Sequence, residues 1–227
     1  MIVAAHQPNY LSYTGFFNKI AKCDAFILMD DVAFTRRDFT HRNKIRTAQG
    51  WMWLTVPFKH APLGTSIKDI EINGNGWNKH HWECIRHMYR RAECFSEYAE
   101  DLESFYSMNF DKLAELNISL IKWLLEKLGI NTILLKQSEM DIKQGLKKSD
   151  LLIEMVKKAG GDTYLSGVGA VDYVDRDKFH ASGIELVFQD FKHPTYKQVY
   201  EPFIQNMSII DLLLCCGEES GKIVREC

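Results

Sequence analysis

The chain has no apolar run near the roughly 18 to 20 residues that a membrane-spanning helix requires, and its first residues lack the charged n-region and small-residue cleavage site of a secretory signal. A cytoplasmic protein is expected. The six cysteines, Cys23, Cys84, Cys94, Cys215, Cys216 and Cys227, include no Cys-X-X-Cys pair, so reduced core or surface thiols are expected instead of a disulfide framework or a redox dithiol. Charge of one sign is also missing: 28 Lys and Arg against 30 Asp and Glu leave a formal −2. Phosphate-dominated binding needs excess cations on one face, so no general nucleic-acid surface is expected. Proline is scarce, at 5 residues, and no repeat, low-complexity tract or linker divides the chain. With 227 residues, 46% of them hydrophobic, the chain can bury a full core. One α/β domain over 1–227 is expected, a three-layer, mostly parallel sheet interrupted by a mainly helical insertion at about 77–128.

What is present is concentrated in the first fifty residues. Met1 to Ala5 reads as a short buried strand, followed at once by the polar turn His6-Gln7-Pro8-Asn9-Tyr10. Gly15 to Ile20 reads as a helix start and Ala25 to Met29 as a second strand, ending in Asp30-Asp31. Ligands of open α/β sheets bind outside the carboxyl ends of the strands, so His6, Asn9, Tyr10, Asp30 and Asn43 are expected around one cleft. The basic stretch Arg36-Arg37 and His41 to Arg46 reads as a mobile segment able to fold over an anion there.

Further along, Trp51 to Val56 and Ile67 to Ile72 have strand composition. Helical patterns run from Trp77 to Leu128, with Leu113, Leu116, Leu120, Leu124 and Leu128 at core spacing and Gly129 as a cap. Thr132 to Leu135, Thr163 to Leu165 and Ile184 to Phe188 read as strands, and Ser149-Asp150 as the cap of a helix over Leu151 to Ala159. His80, Glu83, Cys84 and His87 share a helix face at spacings that can gather zinc. They do not form His-Glu-X-X-His, and the face reads as polar with no metal.

Three places carry candidate chemistry. Gly15 lets a phosphate approach a helix N-terminus, although a plain core turn explains it equally. Ser166, Gly167 and Gly169 follow a strand, with Asp172 and Tyr173 within a helical turn, and read as a binding loop or a tight strand-to-helix connection. His193, before a proline in a loop past a strand, reads as a general base or a surface histidine without a role.

The motifs His6-Gln7-Pro8-Asn9-Tyr10, Gly15-Phe16-Phe17, Asp30 to Phe34, Arg42-Asn43-Lys44-Ile45, Leu54 to Pro57, Tyr164 to Ala170 and Ser208 to Leu213 together resemble the WbqC-like proteins, found among bacterial genes for O-antigen and other surface polysaccharides. Ser12-Tyr13 departs from the proline and aromatic that members often carry. The resemblance implies sugar modification, with transfer of glycine or another acyl group to an amino-sugar nucleotide as the expected reaction. In that scheme His6 or His193 is the base, and the Gly167 to Ala170 loop supplies oxyanion donors. Arg42 and Lys44 hold a diphosphate or an activated donor, and Asp30 or Asp31 binds hydroxyls or a divalent ion. Gln7, Asn9, Tyr10 and Asn43 complete the expected substrate-binding set. A weaker likeness to nucleotidyltransferase-like folds places Tyr13-Thr14-Gly15-Phe16 where they carry His-X-Gly-His; both histidines are missing. An adenylate-forming ligase using ATP and a non-catalytic sugar-nucleotide binding protein stand as alternatives. The sugar, the donor and the oligomeric state are not legible.

Overall fold

A computed structural model describes residues 1–167, 169 and 174–227. Asp172 and Tyr173 lie outside the described residues. In chain order, β1 (Ile2–His6), α1 (Thr14–Ala21) and β2 (Ala25–Leu28) form the first unit. An antiparallel ribbon of β3 (Arg42–Thr47) and β4 (Gly50–Thr55) follows, then three helices, α2 (Trp77–Tyr89), α3 (Phe95–Ser107) and α4 (Leu113–Lys127). Alternation resumes with β5 (Ile133–Lys136), α5 (Lys148–Lys158), β6 (Thr163–Ser166), α6 (Arg176–Ala181) and β7 (Glu185–Phe188). The helices α7 (Ile209–Cys216) and α8 (Glu219–Glu226) come last.

The main sheet is parallel, in the order β5-β2-β1-β6-β7. Numbered by their order along the chain, its five strands read 3-2-1-4-5, so the winding reverses between β1 and β6. Both faces are covered, which is why these strands read as short apolar runs. Ala4 belongs to the core cluster that holds Phe16, Phe17, Ile20, Leu120 and Leu124, while Val3 and Ala5 belong to a second cluster with Met155, Val156 and Phe179. The molecule is therefore an α/β three-layer structure, with eight helices and a second small sheet among the described residues.

The leucine spacing expected for α4 matches its buried face, Leu113, Leu116, Leu120 and Leu124. Its end is a glycine cap: Gly129 adopts φ 60°, and the Ile130 N–H donates to Leu125 O at 3.0 Å.

Three local expectations are corrected. Ile67 to Ile72 is not a strand: Ile67–Asp69 is a single 3-10 turn. Its Ile67 and Lys68 N–H groups donate to Val32 O and Asp30 O, and Ile72 donates to Asp111 O, so its bonds go to scattered partners instead of one ladder. The basic segment around Arg42 is not a mobile arm but the strand β3, paired from Arg42↔Thr55 to Thr47↔Gly50. Its charges are accommodated by stacking, with the Arg42 guanidinium 4.3 Å from the Trp53 ring and Lys44 5.0 Å from Trp51. Finally, Ser149 does not cap α5, which starts at Lys148; its hydroxyl instead accepts from the Asp175 N–H at 3.0 Å.

No helix among the described residues is long and apolar enough to cross a membrane.

Candidate functional site

A cavity of about 990 Å³ opens at the carboxyl ends of the parallel strands. Each strand contributes: His6 and Gln7 after β1, Met29 and Asp31 after β2, Gln137 and Ser138 after β5, Ser166 and Gly167 at β6, and Gln189 after β7. The start of α1, with Tyr13 and Gly15, forms part of the wall beside the reversal of winding. Lys143 and Lys147, from the turn before α5, and Lys148, its first residue, also line the cavity.

The motif at the end of β1 divides its labour. His6 and Gln7 face the cavity, whereas the next residues are held by the core. Asn117 Nδ2 donates to Pro8 O at 2.8 Å and to Thr40 O at 2.7 Å; Asn43 Nδ2 donates to Leu11 O at 2.8 Å and Tyr10 O at 3.2 Å. Leu11 sits at φ 46°, a turn conformation those two amides stabilise. Tyr10 is fully buried, its hydroxyl 2.8 Å from His81 Nδ1 and 2.7 Å from Tyr106 Oη. Asn9, Tyr10 and Asn43 do not line the cavity. They brace the turn that presents His6 and Gln7.

Adjacent carboxylates part in the same way. The Met29 N–H donates to His6 O at 2.9 Å, which keeps the two strand ends side by side. Asp30 is nevertheless buried and turned away, accepting from Ser138 N at 2.9 Å and Ser138 Oγ at 2.5 Å. Asp31 faces the cavity and pairs with Lys68 at 2.9 Å.

His6 Nδ1 lies 3.0 Å from Gln7 O. A carbonyl only accepts, so Nδ1 carries the proton and Nε2 is an acceptor with no partner among the described residues. Burial, reinforced by the charge of Lys19, pulls the imidazole down to about 4, so it is neutral near pH 7. His193 is engaged at both nitrogens: Nδ1 is 2.8 Å from Pro194 O, and Nε2 accepts from the Asn206 N–H at 3.0 Å. Neither His193 nor Arg42 nor Lys44 lines the cavity.

Three features escaped the sequence reading. Lys19 is 4% exposed, lines the cavity and donates from Nζ to Ala5 O at 3.0 Å. Burial lowers its amine to about 8. The signal was available, since Lys19 lies three residues after Phe16 and beside Ile20 on a short helix whose core positions it interrupts. Gln189 ties the far side of the sheet to α1, donating to Gly15 O at 2.9 Å and Asn18 Oδ1 at 2.6 Å. Gln137 is buried and its Oε1 has no hydrogen-bond donor among the described residues. An isolated glutamine in a polar stretch gives no warning of either role.

On α2, His81 is buried against Tyr10, while His80 Nε2 lies 3.7 Å from Cys84 Sγ. The two adjacent histidines therefore differ in burial, with their ring centroids 6.2 Å apart. No group of three or more His, Cys, Asp or Glu suited to a metal ion occurs among the described residues.

Fold and cavity together define a doubly wound α/β protein with a cavity of mixed polar and apolar lining at the reversal point of its sheet. The chain belongs to the WbqC-like protein family, whose sequence model matches residues 7–223. It is 34% identical to the uncharacterised protein Rv1507c of Mycobacterium tuberculosis over 228 residues, covering 99% of this chain and 98% of that one. No solved structure matches it.

Proposed function

We propose that this protein is an enzyme of bacterial surface-polysaccharide biosynthesis, of the O-antigen and lipopolysaccharide kind, that transfers an acyl or aminoacyl (glycyl) group to the amine of an amino-sugar nucleotide. Family membership supports the setting. The observation that carries the chemistry is the neutral His6 at the cavity wall, its Nδ1 committed to Gln7 O and its Nε2 free to accept.

The reaction begins with a neutral substrate amine attacking the acyl carbonyl: the C–N bond forms and the carbonyl π pair moves onto oxygen. The nitrogen of that adduct is far more acidic than an ordinary ammonium, so an imidazole of low basicity takes its proton at Nε2. Collapse then expels the leaving group of the activated donor. The loop after β6, where Gly169 lines the cavity, is suited to supply backbone N–H donors to the developing oxyanion. Asp31 is placed to accept from sugar hydroxyls, and Ser166 and Gln7 to orient the substrate. The test is mass-spectrometric detection of the N-acylated product from a panel of amino-sugar nucleotides and activated acyl donors. Tight binding without turnover across that panel would replace this reading with a non-catalytic binding role.

The order 3-2-1-4-5 and the glycine opening α1 favour a second reading, an adenylate-forming ligase or nucleotidyltransferase. Release of pyrophosphate or AMP from ATP in the presence of an acid would support it over transfer from a preformed donor.

A further inference from the structure

We propose that the cavity binds a diphosphate, held on one side by Lys19 and the backbone at Gly167 and on the other by the lysines of the turn before α5. This deepens the sugar-nucleotide reading and rests on it for the nucleoside and sugar.

The cationic side chains of the cavity outnumber its described acidic ones. Lys19 is 96% removed from solvent by its 4% exposure, yet no carboxylate pairs with it among the described residues; its contacts are Ala5 O at 3.0 Å and the Phe26 ring at 5.7 Å. A buried ammonium is costly unless an anion meets it. Lys143, Lys147 and Lys148 line the same cavity, and none of them is in an ion pair among the described residues. Asp31, the acidic residue on the described wall, is already neutralised by Lys68. A chain with a formal charge of −2 has thus gathered in one concavity four lysines that pair with no carboxylate among the described residues. Such a site focuses an anion of several charges better than a monoanion.

Space and donors agree with that ligand. A Cβ at Gly167 would lie 4.0 Å from Lys19 Nζ, and one at Gly169 would meet nothing within 4 Å. An anion can therefore approach the backbone after β6 while touching Lys19. At the start of α1 the Tyr13 ring, not open space, fills the place where a Gly15 Cβ would lie, so the cations and the backbone after β6 carry the site. The donor-free Oε1 of Gln137 offers a buried acceptor for an N–H or O–H on the organic part of the ligand. The volume of about 990 Å³ is at the upper end of the usual range for small-molecule sites.

Isothermal titration of the full chain with UDP, ADP, uridine, inorganic pyrophosphate and inorganic phosphate, at low and physiological salt, tests this. We expect UDP or ADP to bind, uridine to bind at least tenfold more weakly, and affinity to fall with salt. Lys19→Met should weaken nucleotide binding by about 10- to 100-fold, the range for losing a hydrogen bond to a charged group. Should that variant lose its fold, the combined Lys143→Gln, Lys147→Gln and Lys148→Gln variant decides, since its positions are exposed. It should weaken binding and flatten the salt dependence. Failure of UDP, ADP and pyrophosphate alike to bind would overturn the proposal, as would uridine binding as tightly as UDP or wild-type affinity in both variants. A preference for ADP over UDP would keep the diphosphate site while moving the function to the ATP-using reading. Turnover of an amino-sugar nucleotide unaffected by both variants would leave the transfer reading standing and remove the diphosphate site.

Discussion

Arg46 and Gln198 are joined by a buried hydrogen bond, Nε to Oε1 at 3.0 Å, and the same Gln198 amide passes an N–H to Asp211 Oδ2 at 2.7 Å. The guanidinium also donates to the carbonyls of Thr47, Gly50, Tyr200 and Pro202. The five donors of arginine are thereby matched to one amide and four carbonyls, fixing the β3–β4 ribbon to the segment before α7. Burial pushes the Asp211 carboxyl up, opposed by its Tyr196, Tyr89 and Gln198 partners.

Arg46→Lys should therefore behave as a disruptive change. A three-donor ammonium cannot reach these acceptors, and the loss should be about 3 to 5 kcal/mol, the range for breaking a buried charged network. The urea midpoint reports it; a loss under about 1 kcal/mol, the level of an ordinary exposed ion pair, would contradict the network's role.

Acid should weaken the fold between about pH 6.5 and 4. Burial lowers both His6 and His81 to about 4 from an ordinary value of 6.5, helped by the charges of Lys19 and His80 respectively. In that window the unfolded chain binds protons that the folded chain refuses, so stability rises with pH through it and is lost as pH falls. Each histidine contributes up to about 3 kcal/mol. Chemical unfolding at stepped pH should show a shallower slope in His81→Gln than in the wild type; an identical slope would mean that His81 titrates normally.

On the transfer reading, His6→Gln should lower kcat about 10²- to 10⁴-fold while leaving KM nearly unchanged, because glutamine keeps hydrogen-bonding capacity but cannot take a proton. His193→Gln should retain near-wild-type turnover, since both of its ring nitrogens serve the backbone. Full activity in His6→Gln would remove histidine base catalysis from the account.

Gly221→Ala probes the seat of α8. A Cβ there would collide with the Leu128 carbonyl group at the end of α4, where Arg225 Nη1 also donates to Leu128 O at 3.2 Å. Alanine gains about 1 kcal/mol of helix propensity, but overpacking against backbone should cost more, for a net loss of about 1 to 2 kcal/mol. A higher melting temperature than wild type would show that the two helices can slide apart freely.

The parallel strands were legible because each is a short apolar run ending in polar residues, and His6 and Gln7 lie at the carboxyl end of the central strand. Orientation after the strand end was not legible. Asp30 and Asp31 are equivalent in sequence, and only the tertiary position of Ser138 and Lys68 sends one into a turn and the other to the cavity. The Arg42 to Arg46 stretch misled because charge suggested solvent, whereas the facing Trp51 and Trp53 make a strand of it. Lys19 was passed over for the same reason. A lysine within a helix reads as a solvated position, and its place among the apolar positions of α1 is outweighed by its charge. The helical pattern over 77–128 was strong enough to read directly, although its division into α2, α3 and α4 depends on turns that hydrophobic spacing does not mark.

On the diphosphate proposal, Lys19, whose Nζ donates to Ala5 O, makes proton exchange part of ligand recognition. With its amine at about 8, a sizeable share of molecules near that pH carries no proton on Nζ. An arriving anion favours the charged form and draws a proton from the buffer. Measured heats of binding near pH 8 should then differ between buffers in proportion to their ionisation enthalpies, and the difference should vanish in Lys19→Met.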